Sequence, residues 1–124
     1  MDYRREHVRR LLQVAAELAS TSDERVWAAH IVDIARMGVA FVTDEEMALG
    51  HYAFSFCFPG SHTRNDVLVD VLYSRPFGAE GRYRNGARFE HVAEAVVERI
   101  VDYVTTGAEA MLELERVRDQ EPRA

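Results

Sequence analysis

Between Arg25 and Phe89 the chain is cut into short β-prone runs by turn clusters, and from His91 the apolar spacing becomes helical. That switch of period, from two to between three and four, constrains the fold more than any single motif. Arg25–Asp33 (RVWAAHIVD), Met37–Val42, His51–Phe58 (HYAFSFCF), Asp66–Ser74 (DVLVDVLYS) and Arg82–Phe89 read as strands, rich in β-branched and aromatic residues. The last is expected to be interrupted at Asn85-Gly86. STSDE, TDEE with the following Gly50, PGSHTRN and RPFGAEG read as turns. Residues 11–19 (LLQVAAELA) are ambiguous. Their composition favours helix, yet Leu12, Val14, Ala16 and Leu18 alternate as in a half-buried strand. Val92, Ala95, Val96, Ile100, Tyr103 and Val104 form a helical stripe. Gly107 breaks it, and Thr106 with Glu109 has capping-box spacing, so a second helical segment is expected. Many short strands followed by helix point to a small barrel or sandwich capped by that helix.

Several function classes are disfavoured. No apolar run approaches the ~18 residues of a membrane span, and MDYRREHVRR has no apolar stretch that would serve a signal peptide. The expected location is the cytoplasm. Cys57 is the only cysteine, which excludes an internal disulfide; it reads as a small buried apolar residue. The five histidines (His7, His30, His51, His62 and His91) lack the spacing of a metal site, and none is expected. Neither a nucleophile motif nor a Gly-rich phosphate loop is present, so an enzyme is not expected.

A net charge of −6 argues against a nucleic-acid polymer as partner. The charge is uneven, however. Arg4, Arg5, Arg9 and Arg10 crowd the first ten residues against only Asp2 and Glu6, and all 15 basic residues are Arg. An Arg cluster in an acidic protein suits a small anionic ligand.

Two motifs sharpen this. Arg5 to Arg9 has the form RxxxR, and Asp33-Ile34-Ala35-Arg36-Met37-Gly38 has the form DxAxxG. If residues 11–19 and 25–33 form a hairpin, pairing Arg9 with Asp33 puts the midpoint at residue 21, within STSDE. Two guanidinium groups, a carboxylate and a glycine would then share one rim. Such a set fits a guanine nucleotide: Arg forks onto O6/N7 or a phosphate, and a carboxylate accepts from N1–H and the N2 amino group. Glycine admits close approach to the backbone.

With these motifs the sequence resembles the PilZ family, which binds cyclic di-GMP through RxxxR and (D/N)xSxxG. The likeness extends through HIVDIARMGVAF and RYRNGARF to the terminal helix, roughly residues 4 to 104. It implies a mainly β fold: a six-stranded antiparallel barrel, with 11–19 as a strand, followed by one or two C-terminal helical segments. The domain would comprise an Arg-rich flexible arm (1–10), the barrel (11–90) and a helical region (91–119). It also implies that Arg5 and Arg9 grip guanine and phosphate, Asp33 holds the guanine edge, and Gly38 leaves room. Ala35 stands where the family has Ser, which should weaken binding without abolishing it. Arg4, Arg10 and Arg36 are candidate helpers at phosphate. The implied role is a receptor that changes its surface for an effector protein, controlling motility, adhesion, exopolysaccharide or virulence. The rival reading is a ligand-independent adaptor, as in type IV pilus assembly. Met111, Leu114 and their neighbours would offer an apolar face to a second copy or to a partner.

Overall fold

Six antiparallel strands form a closed barrel in the computed structural model, which describes residues 9–78 and 80–106. They are β1 (Arg9–Ser20), β2 (Val26–Ala35), β3 (Gly38–Thr43), β4 (Gly50–Phe56), β5 (Asn65–Phe77) and β6 (Arg82–His91). Their order around the barrel is β1-β2-β3-β6-β5-β4, and Ala16–Ser20 of β1 pair with Tyr52–Phe56 of β4 to close it. The ambiguous segment 11–19 is therefore strand, decided by burial of its alternate residues. Leu12 and Leu18 are buried, with Val14 and Ala16 packed against the same core.

The core is filled by inward residues from every strand: Leu18, Ile31, Ile34, Phe41, Phe54, Val69 and Val71 are almost wholly excluded from water, and β6 adds Ala87 and Phe89. Each of the larger side chains contributes about 1.5–3 kcal/mol of apolar burial. Phe41, Phe54, Phe56 and Phe58 follow one another as tilted or edge-on ring pairs, which carry the core to the barrel's end. There helix α1, described over 94–106, lays Val96, Ile100 and Val104 onto the same cluster. The end-cap is tied by Arg99, whose Nε donates to the Asn65 side chain at 2.7 Å. Ala95, expected in the apolar stripe, is exposed, because the buried row runs along positions four apart. The second helical segment expected beyond Gly107 lies outside the described residues.

Three local readings are corrected. Asn85-Gly86 does not interrupt the last strand: Asn85 pairs with Phe41 and Ser74, and Gly86 with Ala40 and Tyr73. Asn85 faces inward, where its amide donates to the Phe41 carbonyl and Thr43 Oγ1. Gly86 faces outward, and its missing Cβ makes space for the Tyr73 ring. Cys57 is half-exposed rather than buried, since Phe56 and Phe58 on either side take the inward positions. Strand β1 also begins at Arg9, two residues before the predicted start of the barrel, because Arg9 and Arg10 pair with Ala35 and Ile34.

Candidate functional site

Strict alternation along β2 would send Asp33 inward after Ala29 and Ile31. A bulge prevents this. Between Ile31 and Asp33 the pairing with β3 slips by one residue at Val32, so Asp33 turns outward while Ile34 regains the core. A matching slip at Leu72 turns Tyr73 outward after the buried Val69 and Val71. The two bulges align Asp33, Ala40, Gly86 and Tyr73 in one row across β2, β3, β6 and β5 on the outer wall.

Asp33 is the polar centre of that row, with a side chain only 14% exposed. Arg9 Nη1 donates to its Oδ1 at 2.7 Å, and Arg84 Nη2 to its Oδ2 at 3.3 Å. Arg9 and Arg84 remain 57% and 38% exposed, so both guanidinium groups keep donors facing solvent. A carboxylate has about four lone-pair positions, so one on each oxygen is still open to a further donor. The arrangement can accept two parallel N–H groups at Asp33 while the flanking arginines face negative charge.

Ala35 lies directly across from Arg9 and beside Gly38, and is 2% exposed. It shares the Arg9 and Asp33 face, where a serine hydroxyl would point into the same cluster. Gly38 has a structural reason of its own: a Cβ there would meet the Ala87 carbonyl oxygen at 2.5 Å. The Phe89 amide donates to the Met37 carbonyl at 2.9 Å beside it, fixing this close approach of β3 to β6.

The predicted residues thus divide. Arg9, Asp33, Ala35 and Gly38 converge on one patch; Arg4 and Arg5 lie outside the described residues. Arg10 departs from the expected helper role, because strand alternation turns it away from Arg9 and onto the helix, where it bonds the Tyr103 carbonyl. Arg36 is exposed in the turn between β2 and β3. Arg84 was missed by sequence reading. Its signal, an outward Arg on a strand paired with β3, depends on knowing which strands are neighbours.

One further cluster lies beside this patch. His51, Asp70 and Glu90, on three adjacent strands, bring potential ligand atoms within 4.8 Å of one another. Arg88 lies among them, 2.7 Å from Glu90 and 3.5 Å from Asp70. Its hydrogen bond holds the Glu90 carboxyl below the usual range. The guanidinium already supplies the positive charge such a cluster requires, which makes this an ion-pair network. Among the described residues no helix is long and apolar enough to cross a membrane.

Comparison with known proteins bears on the whole barrel. A family model described as PilZ domain matches residues 3–106. Three solved structures share the fold. The Bacillus subtilis inhibitor of motility MotI/DgrA has TM-score 0.68 and 10% identity, over 96% of this chain and 54% of that one. The PilZ domain of Escherichia coli YcgR with c-di-GMP has TM-score 0.65 and 12% identity, over 95% of this chain and 99% of that one. YcgR from Escherichia coli in complex with c-di-GMP has TM-score 0.64 and 14% identity, over 92% and 50%. The chain thus spans about half the length of MotI and of the longer YcgR chain. No curated protein matches the sequence.

Proposed function

The chain belongs to the PilZ domain family, and from that premise we propose that it is a receptor for cyclic di-GMP. The observation that carries the reading is the outward Asp33 held between Arg9 and Arg84. The remaining lone pairs of its carboxylate suit the N1–H and N2 amino donors of guanine. The arginines suit the O6/N7 edge or a phosphate. Arg5 supplies a further guanidinium from the RxxxR motif, and Ala35 and Gly38 line the turn beside the carboxylate. Two of the similar structures, both of YcgR, are named as complexes with c-di-GMP.

The ligand acts here as a signal and not as a substrate. It draws the Arg-rich segment ahead of β1 against the barrel wall and changes the surface offered to an effector protein. The energy for that change comes from contacts made only in the bound state, chiefly those of Arg5 and Arg9. Among possible outputs, control of motility is favoured by the likeness to a protein named as an inhibitor of motility. A cytoplasmic location fits a second-messenger receptor.

Ala35 favours a second reading, a ligand-independent adaptor, because the hydroxyl of the family motif is missing at that position. A neutral hydrogen bond is worth about 0.5–1.5 kcal/mol and a charge-assisted one about 1.5–3 kcal/mol, so the arginines outweigh the missing serine. Calorimetric titration of cyclic di-GMP into the wild type and Asp33→Asn decides the matter. Saturable heat in the wild type, strongly reduced in the variant, is the expected result. Absence of heat in the wild type at millimolar ligand overturns the receptor and leaves the adaptor.

A further inference from the structure

Arg10 and Tyr103 stand 93 residues apart in sequence and touch in two ways. The Arg10 guanidinium lies 4.0 Å from the centroid of the Tyr103 ring. Its Nη1 also donates to the Tyr103 backbone carbonyl at 3.0 Å. The Tyr103 hydroxyl returns a contact to the Leu11 carbonyl at 3.4 Å. The other side of the clamp is Phe58, whose ring centroid is 4.8 Å from that of Tyr103. Helix α1 is thereby fastened to Arg10 and Leu11 of β1 and to the loop after β4.

Those first residues are the ones that carry the candidate site. Arg9 and Arg10 are neighbours on a strand and point to opposite faces. One holds Asp33 on the outer wall; the other holds the helix over the barrel's end. A single peptide unit separates the two grips, and it is planar and stiff. Because one peptide links the two grips, any shift of the Arg9 backbone on ligand binding carries Arg10 with it.

Resting on the receptor reading above, we infer that Arg10 is a positioning residue that transmits occupancy of the Arg9–Asp33 site to helix α1. Linkage makes the coupling reciprocal: ordering the helix raises affinity for the ligand, and loosening it lowers that affinity. The cation–π contact and the charge-assisted hydrogen bond together give the clamp a geometry that Lys reproduces only in part.

The test follows amide exchange along 94–106 by mass spectrometry, with and without cyclic di-GMP, beside calorimetry of the same samples. In the wild type, saturation should slow exchange in this segment about fivefold, the lower end of ordinary coupling between sites. Arg10→Gln should bind the ligand and show no slowing, whereas Arg10→Lys should recover part of it. Full slowing in Arg10→Gln, or binding by the wild type without any slowing, overturns the inference and leaves the receptor reading intact. No heat from the wild type removes the receptor reading and this inference with it, an outcome visible by calorimetry alone. Should Arg10→Gln not fold, Arg10→Lys carries the comparison: its response should fall at least about twofold, and an undiminished one overturns the inference.

Discussion

Arg9 and Asp33 meet at 2.7 Å although neither is the other's partner in the sheet: Arg9 lies opposite Ala35, and Asp33 opposite Leu11. The contact is diagonal, across one strand boundary and two residues along it. A long guanidinium side chain spans such a diagonal, and its reach leaves the Arg9 backbone next to the Ala35–Gly38 turn. The pair is largely exposed on the Arg side, so it contributes at most about 1 kcal/mol to stability. Its effect should show in binding instead.

Arg9→Ala should therefore leave the melting temperature nearly unchanged and reduce cyclic di-GMP affinity by about 10- to 150-fold, the equivalent of one charge-assisted contact. Arg84→Gln should weaken binding in the same direction, since it removes the charged donor on the second Asp33 oxygen. Calorimetry and thermal melts of both variants check this. Equal affinity in all three proteins would show that the ligand does not use this wall.

Ala35→Ser restores the family's hydroxyl on the face shared by Arg9 and Asp33. Its expected effect is a gain of about 2- to 12-fold in affinity, one neutral hydrogen bond. Position 35 is nearly closed to solvent, so the added oxygen needs a partner in the free protein too. An affinity gain with no change in melting temperature is the outcome to look for.

Gly38→Ala and Gly86→Ala separate two kinds of crowding. At Gly38 the added methyl meets the Ala87 backbone carbonyl, which cannot move aside; a loss of about 1–3 kcal/mol in denaturant unfolding is expected. At Gly86 it meets the Tyr73 ring, a side chain that can rotate away. Adding Tyr73→Ala should rescue most of the Gly86→Ala defect, whereas no side-chain truncation should rescue Gly38→Ala.

Asp66 titrates below its ordinary value of 3.8 because Ser55 and Arg64 hydrogen-bond its carboxylate. A carboxyl lowered by folding stabilises the fold at pH above its ordinary value and loses that contribution as pH falls through the lowered one. Stability should thus be insensitive to this group at neutral pH and decline only in acid, below about pH 4. Carboxyl-carbon NMR of Arg64→Ala should show the Asp66 midpoint moving back up, with Ser55 retaining part of the shift.

The barrel and its end helix were legible because burial imposes period two on strands and nearly four on the helix, and both periods are visible in Leu12–Leu18 and Val96–Val104. The RxxxR and DxAxxG spacings brought Arg9 and Asp33 to one rim. The register escaped by two residues, since the turn closes between Ser20 and Arg25 and so centres later than residue 21, and the bulge beside Val32 leaves no compositional trace. The faces of Arg9 and Arg10 were not separable while β1 had no fixed start. Arg84 and the Ala87 carbonyl against Gly38 were invisible for a different reason. Both depend on β3 pairing with β6, a contact between residues forty or more apart in sequence. Local pattern carries no record of it.

That same pairing governs when the site comes into being. The β1–β2 hairpin can form early and bring Arg9 to Asp33, but Arg84 arrives only when β6 docks on β3, after a long loop has closed. A ligand that engages all three has no complete target on a partly folded chain. It would then leave the folding rate nearly untouched and act by slowing escape from the native state, so the messenger concentration would set the lifetime of the folded protein as well as its signalling state.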